Sequence, residues 1–433
     1  ASAWAAQAGT LQVSPIGLEI PAGAAMTVEN LENKGTSVIN AQVRVFKCTV
    51  KDGKEQMTPT TDVVANGSVT VQARHDLLMG VGAGAIGGAG TAAVGLANST
   101  VLTDNTVQAY IGQGARVTGL GNQAAVQVYT GIGSGTTGFR GVAVTATADG
   151  YVVTVSVAGV GGGSAGVAGS ATVSLLNETT RAWVGKGAQV NKAAGSASDL
   201  QSVSILAANS LRVVEASGGL GGGGAAGVGA GVDVAKLTKV TEAYVEDANS
   251  ASDRADIAAR GDIAIGALSN DNILSIAATL GAGGSAGIAG SVGTWFVDIT
   301  TRAKVGNFSK LLALGNVAVT ARADTNIGMI AGSVAGAGAA AIGASVGVSI
   351  VKKTTEALVG LSAVVDAKAT RAAMGAPTGV FNVANSQVDV ASVDTTNDTI
   401  TLTGASGYRT GDAIVYRKTS AQTAVGGLTD GGT

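Results

Sequence analysis

The sequence is poor in charge, in aromatic residues and in the side chains that most often carry chemistry. Of its 433 residues, 13% are charged and 3% are aromatic, and there are 4 prolines, 1 histidine and 1 cysteine. A single cysteine excludes an internal disulfide framework, and so few prolines exclude collagen. The 27 basic and 29 acidic residues give a net charge of −2, without the basic excess that nucleic-acid binding requires. Low charge with a mean hydropathy of +0.35 excludes a disordered charged tail.

What the chain has instead is glycine and repetition. It contains 67 glycines, about twice the usual share. From Gly67 onward, a first pattern occurs five times, and the interval between its first two copies is the longest. Its copies are Gln108–Gly112, Arg181–Gly185, Glu242–Glu246, Arg302–Gly306 and Glu356–Gly360. A second pattern precedes each copy, in Ser68–Val71, Val142–Thr145, Val203–Leu206, Asp262–Ile265 and Asn316–Val319. Internal repeats of roughly 60 residues indicate a stacked array.

Each repeat has the composition of strands. Val152–Val157 and Ala171–Leu176 are runs rich in β-branched residues, which favour pleated surfaces, and the glycine-rich blocks between them are poor helix material. A unit of about 60 residues cannot bury its apolar face alone, whereas stacked units can. We therefore predict an all-β fold, a repetitive β-solenoid or stacked β-sheet array, with three or four strands in each of five repeats.

Composition divides the chain into four parts. Residues 1–8 have the character of a signal-peptide remnant or N-terminal tail, because Ala3 and Ala5 fit the A-x-A cleavage rule. Residues 9–66 alternate between apolar and polar positions, with turns at Glu32–Gly35 and Lys51–Lys54, and predict antiparallel strands. The five glycine/alanine-rich repeats span 67–375. Residues 376–433 form a β-rich C-terminal module without a polar cap, which predicts that the chain is part of a longer protein.

A membrane location must be weighed, because Ile327–Val351 and Gly150–Asn177 are uncharged and long enough to cross a bilayer as helices. They are dominated by glycine, alanine and serine, and they lack an aromatic belt and any asymmetry of lysine and arginine. We expect no membrane span.

Few residues offer catalytic chemistry. His75 lies beside Asp76 without a second histidine for a metal pair, so we interpret it as a polar residue at a strand end. Cys48 lies in an apparent strand and is interpreted as a buried structural thiol. One acidic group could serve a solenoid polysaccharide hydrolase, although its spacing is also that of a solvated loop: Glu242, Glu246, Asp247, Asp253 and Asp256. We predict no catalytic, cofactor-binding or metal-binding residue, no cofactor and no enzyme activity.

The N-terminal part resembles periplasmic pilus-assembly chaperones, whose domains are immunoglobulin-like. The similarity lies in Leu11–Ile16, Leu18–Gly23, Ile39–Phe46 and Asp62–Val64. It covers about half of such a domain, and Gly17 stands where many of these chaperones carry an arginine that anchors the carboxylate of a subunit. The resemblance implies an immunoglobulin-like segment that pairs strands with a partner.

The repeats resemble those of giant secreted bacterial filamentous adhesins of the leukotoxin type. The similarity rests on glycine/alanine blocks followed by the segment Asn177–Gly185. It implies a secreted or cell-surface structural protein, a stalk or filament subunit with an adhesive or matrix role. The implied partners are further copies of the chain and a host or surface glycan or protein. Two alternatives stay open: a pilus-chaperone-like binding protein and a solenoid polysaccharide hydrolase.

Overall fold

The computed structural model describes residues 62–131, 135–192 and 196–368. Outside these ranges it describes strands only, at 11–14, 30–33, 46–51, 54–59, 390–394 and 399–402. The strands, in chain order, are β1 (Leu11–Ser14), β2 (Asn30–Asn33), β3 (Phe46–Lys51), β4 (Lys54–Pro59), β5 (Asp62–Ala65), β6 (Val69–Ala89), β7 (Ala92–Ile111), β8 (Arg116–Gly119), β9 (Val126–Tyr129), β10 (Thr136–Phe139), β11 (Gly141–Gly162), β12 (Ala165–Val184), β13 (Gln189–Val190), β14 (Ser202–Gly223), β15 (Ala226–Val245), β16 (Asp256–Ala259), β17 (Ile263–Gly283), β18 (Ala286–Val305), β19 (Lys310–Ala313), β20 (Val317–Ala337), β21 (Ala340–Val359), β22 (Val364–Ala367), β23 (Val390–Asp394) and β24 (Thr399–Leu402).

Five coils wind through three parallel sheets, which confirms the predicted all-β solenoid. Each coil runs out along one long strand, returns along a second and crosses a short third strand: β6–β8, β11–β13, β14–β16, β17–β19 and β20–β22 are coils 1 to 5. The outbound sheet contains β6, β11, β14, β17 and β20, the return sheet β7, β12, β15, β18 and β21, and the base sheet β5, β8, β13, β16, β19 and β22. Each of the three sheets grows by one strand per coil.

The first sequence pattern is in register from coil to coil. Arg181 pairs with Gln108 and with Glu242, which pairs with Arg302, and Arg302 pairs with Glu356. The interval between the first two copies is longer than the others because the antiparallel hairpin β9–β10 is inserted before coil 2. Parallel neighbours in identical register place equivalent side chains in columns along the solenoid axis.

The long strands are a difference from the sequence reading. Val142–Thr145 and Val152–Val157 suggest separate strands, but both lie in β11, which is 22 residues long. Typical strands have five or six residues. Glycine inside a strand does not end it here, because the chain pairs with identical backbone on each side of the inner coils. Ile327–Val351 and Gly150–Asn177 are strands with their connecting turns, and among the described residues no helix has the length and hydrophobicity that crossing a membrane requires.

The coil is a wedge with a wide base and a thin edge. At the base, valine, isoleucine and alanine from all three sheets form one buried core, including Val144, Val184, Val190 and Ile257. Farther along the long strands, the outbound and return sheets pack directly on each other through larger residues such as Leu176, Leu237 and Trp295. At the thin edge the buried cluster between the sheets consists of alanines such as Ala158 and Ala168, with Val160 as its largest member.

Inward-facing glycines allow the two sheets to meet at the thin edge. A Cβ atom on Gly219 would collide with the backbone of Ala230 on the facing strand, and one on Gly221 would collide with the backbone of Val228. Any larger residue would force the sheets apart, because packed interiors have no space to spare. A different glycine, Gly187, lies at the corner between return and base strands with a φ of 72°, a conformation that glycine adopts without steric strain.

Most of the predicted N-terminal and C-terminal segments, 9–66 and 376–433, lies outside the described residues. β3 pairs with β4 in antiparallel register, with Lys51 opposite Lys54, which agrees with the antiparallel strands expected there. β1 pairs with β2, and β2 joins the outbound sheet beside β6 in parallel. The immunoglobulin-like assignment and the four domain boundaries stay predictions.

Candidate functional site

The outer face of the return sheet, near the base, carries a column of stacked aromatic rings. Tyr110, Trp183 and Tyr244 occupy equivalent positions in coils 1 to 3. The ring centroids of Tyr110 and Trp183 are 4.3 Å apart, and those of Trp183 and Tyr244 are 5.8 Å apart, with interplanar angles of 7° and 3°. The faces of the inner ring are therefore covered by its neighbours, and the column links coils to each other.

A column of alternating charge lies beside the aromatic rings. Arg181 Nε is 2.9 Å from Glu242 Oε2, Arg302 Nη1 is 3.4 Å from Glu242 Oε1, and Arg302 Nε is 2.8 Å from Glu356 Oε2. These side chains are partly exposed, and each such pair contributes about 0–1 kcal/mol. Their alternation along the axis favours the observed register, because like charges on adjacent strands would repel each other.

A shallow cavity of about 330 Å³ opens where these columns meet the corner of coil 3, and it contains three of the five candidate acidic residues. Glu242, Glu246 and Asp247 line it together with Arg302 and Lys304. Each carboxylate is engaged. Glu242 pairs with two arginines, Glu246 Oε2 accepts a hydrogen bond of 2.9 Å from the Lys186 N–H, and Asp247 pairs with Lys304 and accepts from the Asn307 N–H at 2.7 Å.

The partners of Asp247 favour its ionised form. Burial acts to raise the pKa of Asp247, but hydrogen bonds from Lys304 and the Asn307 N–H outweigh it, so the pKa is lowered. A glycosidase acid needs the opposite, a raised pKa that keeps its proton at neutral pH. Each of the three carboxylates in the cavity has an ion-pair or hydrogen-bond partner, so none of these three is free.

The other two candidate acidic residues serve loop structure. Asp253 accepts hydrogen bonds from the Ser250 N–H at 2.8 Å and from the Asn249 N–H at 3.3 Å, and these backbone bonds lower its pKa. Asp256 pairs with Arg254 at 2.9 Å and with Lys192 at 3.2 Å. Asp253 lies in the long corner of coil 3, whereas Asp256 is the first residue of β16. No group of three or more histidine, cysteine, aspartate or glutamate residues suited to a metal ion occurs within the described part of the chain.

Between the long sheets lies a buried polar seam that sequence reasoning missed. Lys239 donates from Nζ to Asp271 Oδ1 at 2.7 Å and to the Asn209 carbonyl at 2.8 Å. Asn209 also donates to Thr180 Oγ1 at 3.0 Å. Toward coil 1, Asn105 Nδ2 donates to Glu178 Oε1 at 2.7 Å. Burial lowers the pKa of Lys239, and Asp271 opposes that shift; burial likewise raises the pKa of Glu178 against the hydrogen bond from Asn105.

A second buried group lies nearer the thin edge. Glu215 and Asp233 are both fully buried in coil 3. Asp233 accepts from Thr172 Oγ1 at 2.6 Å and from Ser275 Oγ. Burial, together with the neighbouring Asp233 carboxylate, raises the pKa of Glu215 to about 9. At neutral pH Glu215 is therefore a neutral acid.

The alternation of inward and outward residues along the strands is a sequence signal for both buried polar groups. Asn105, Glu178 and Lys239 occupy the same position of successive return strands, and this position has the parity of the buried valines. A charged residue at a core position of a repeat needs a partner, so the column itself signals a polar seam. Which outbound residue supplies the partner depends on how the two sheets face each other.

His75 lies inside β6 rather than at a strand end and is buried, and burial lowers its pKa against the effect of Asp76. Cys48 lies in β3, a strand whose side chains are outside the described part of the structure.

In comparisons with models of protein families, with curated proteins and with solved structures, nothing matched this chain.

Proposed function

We propose that the chain is a structural protein of secreted or cell-surface type, a β-solenoid stalk or filament subunit with an adhesive or matrix role. The observation that carries the proposal is the unbroken parallel register of five coils, in which long strands such as β11 and β12 pair along their length with the strands of the next coil. Such a slab resists extension because coils separate only when many backbone hydrogen bonds break together.

The end coils support growth along the solenoid axis. Among the described strands, β7 and β21 each pair on one side only. A free strand edge is a template for another strand, and an end-to-end contact that does not close a ring generates an open filament. Self-association of this kind needs no site for a small ligand, and the paired carboxylates of the shallow cavity are consistent with that role.

Electron microscopy and fibre diffraction of the purified chain test the proposal. We expect filaments with a repeat of about 4.8 Å along the axis, the spacing of neighbouring strands. Discrete globular particles at all concentrations would overturn it. Incubation with a panel of bacterial and host glycans tests the alternative of a polysaccharide hydrolase: cleavage that disappears in Glu242→Gln and Asp247→Asn would replace the structural role with an enzymatic one.

A further inference from the structure

The thin edge of the solenoid has an unusual exterior. We define the blade as the part of each coil in which the outbound and return sheets lie together beyond the buried polar seam: residues 79–101, 152–174, 213–235, 273–295 and 327–349. Across these five segments the only charged residues are Glu215 and Asp233, and both face inward and are fully buried. The two outer faces of the blade therefore carry no charge.

These faces are also apolar. In the inner coils, which have a neighbour on each side along the axis, large aliphatic side chains point outward: Val157 is 41% exposed, Leu220 47%, Ile288 46% and Val292 41%. The inner face of the same strands carries polar side chains, namely Ser156, Ser170, Thr172 and Ser174. The blade thus has polar residues inside and apolar residues outside, the reverse of an ordinary sheet. An apolar surface of this extent marks an interaction site.

The outbound face has a column of very small residues close to the thin edge. Its members pair from coil to coil: Gly88, Gly161, Gly222, Ala282 and Gly336. A Cβ atom on Gly161 or Gly336 would meet no atom within 4 Å. Packing inside the molecule therefore does not require glycine there, although glycine weakens a strand. Glycine at such a position typically marks the close approach of another backbone.

The return face carries the complementary shape at a similar depth. A ridge of β-branched residues crosses all five coils: Val94, Val167, Val228, Ile288 and Ile342. A lipid surface does not select a glycine groove on one face and a β-branched ridge on the other, since lipid chains adapt to any apolar relief. A ridge and a groove on opposite faces of one slab fit two copies of the same chain.

We propose that the blade is a lateral interface on which the return face of one copy packs against the outbound face of a second copy. The area is sufficient. A blade strand of about 10 residues at about 3.3 Å per residue, across five coils about 4.8 Å apart, gives roughly 800 Å² per face. Two faces together bury roughly 1,600 Å², the size of a stable protein–protein interface. The contact is heterologous and does not close, so copies form layers. The inference deepens the proposed structural role and rests on it.

Complementary single-face variants test the interface. Val167→Lys places a charge on the return face, and Gly161→Lys places one in open space on the outbound face. Sedimentation velocity is measured below the concentration at which axial filaments form. There the unaltered chain associates as its concentration rises, and each variant alone is expected to be monomeric. An equimolar mixture of the two variants keeps one intact face of each kind and is expected to form a 1:1 dimer and nothing larger. Asn177→Lys, an exposed outward position on β12 beyond the blade, is the matched control and is expected to associate as the unaltered chain does.

Each other outcome counts against the interface. A dimer of Val167→Lys alone, or of Gly161→Lys alone, would overturn the heterologous arrangement. An unaltered chain that stays monomeric would overturn the second copy as the occupant. So would a monomer that binds phosphatidylcholine vesicles in a flotation assay in which Val167→Lys does not bind. Circular dichroism of each variant establishes that the solenoid is folded. The test of the proposed stalk is separate. Axial filaments as wide as one solenoid would support the structural role and reject the lateral interface. Lateral dimers without filaments would support the lateral interface and reject the stalk.

Discussion

Lys239 Nζ lies 2.7 Å from Asp271 Oδ1, on facing sheets and in neighbouring coils, and neither side chain has any exposed surface. The pair ties the return strand of coil 3 to the outbound strand of coil 4. A buried ion pair adds little net stability over an apolar pair, but the loss of one partner leaves an uncompensated buried charge. The pair therefore specifies how the two sheets are aligned.

Lys239→Met is expected to lower the free energy of unfolding by about 3–5 kcal/mol, because Asp271 loses its cation in a dry interior. Urea denaturation followed by circular dichroism measures the effect. The double variant Lys239→Met/Asp271→Leu removes both charges and should recover most of the loss. A single variant as stable as the unaltered chain would show that the pair is not formed in solution.

The buried Glu215 is expected to make the free energy of unfolding decrease as pH rises. Its pKa is about 9 in the folded chain and 4.5 in a model peptide, so between these values the folded state holds a proton that the unfolded state has released. Each pH unit in this window costs up to about 1.4 kcal/mol. Denaturation at pH 5, 7 and 9 should show this slope, and Glu215→Gln should flatten it. Glu356→Gln, which removes a partly exposed carboxylate, is the control. An equal slope in the Glu215 and Glu356 variants would refute the assignment.

Inward and outward glycines should respond in opposite ways to a methyl group. Gly221→Ala places a Cβ against the backbone of Val228 on the facing strand and is expected to destabilise the fold by about 1–3 kcal/mol or more. Gly161→Ala meets nothing in the same molecule and should be neutral or stabilising by up to about 1 kcal/mol, since alanine has less freedom in the unfolded chain. Thermal unfolding of dilute samples compares the two, and similar losses would contradict the packing of the thin edge.

The aromatic column should contribute measurably to coil stacking. Trp183→Ala removes two stacked contacts, each worth about 0.5–1.5 kcal/mol beyond burial, so a loss of roughly 1–3 kcal/mol is expected in urea denaturation. Gln108→Ala, at an exposed position of the neighbouring column, should change stability by less than about 0.5 kcal/mol. If both variants lose the same amount, the stacked rings contribute nothing specific.

The sequence predicted the repeat register because each repeat carries the same short pattern of residues. Arg181, Glu242 and Arg302 recur at matching places of each unit, and equivalent residues of parallel coils pair in register. The strand limits were harder to predict. A glycine such as Gly159 usually ends or weakens a strand, but identical neighbours on both sides keep β11 extended.

The candidate acidic residues illustrate the same limit at the level of a site. Proximity in sequence put Glu242 and Asp247 in one group, and the structure does place them around one cavity. Their partners, Arg302 and Lys304, come from the next coil, so these ion pairs depend on the stacking of coils. The Lys239–Asp271 pair likewise joins two sheets whose facing is not encoded in either strand alone.

Composition and periodicity by themselves determined that this chain is an all-β array of repeats, because β-branched runs, glycine blocks and constant spacing are local properties that only stacked strands satisfy. The tertiary structure alone decided which face of each long strand is interior. Alternation in Val152–Val157 marks two faces but not which of them is buried. The closeness of two glycine-lined sheets places Thr154 and Ser156 inside and Val155 and Val157 outside.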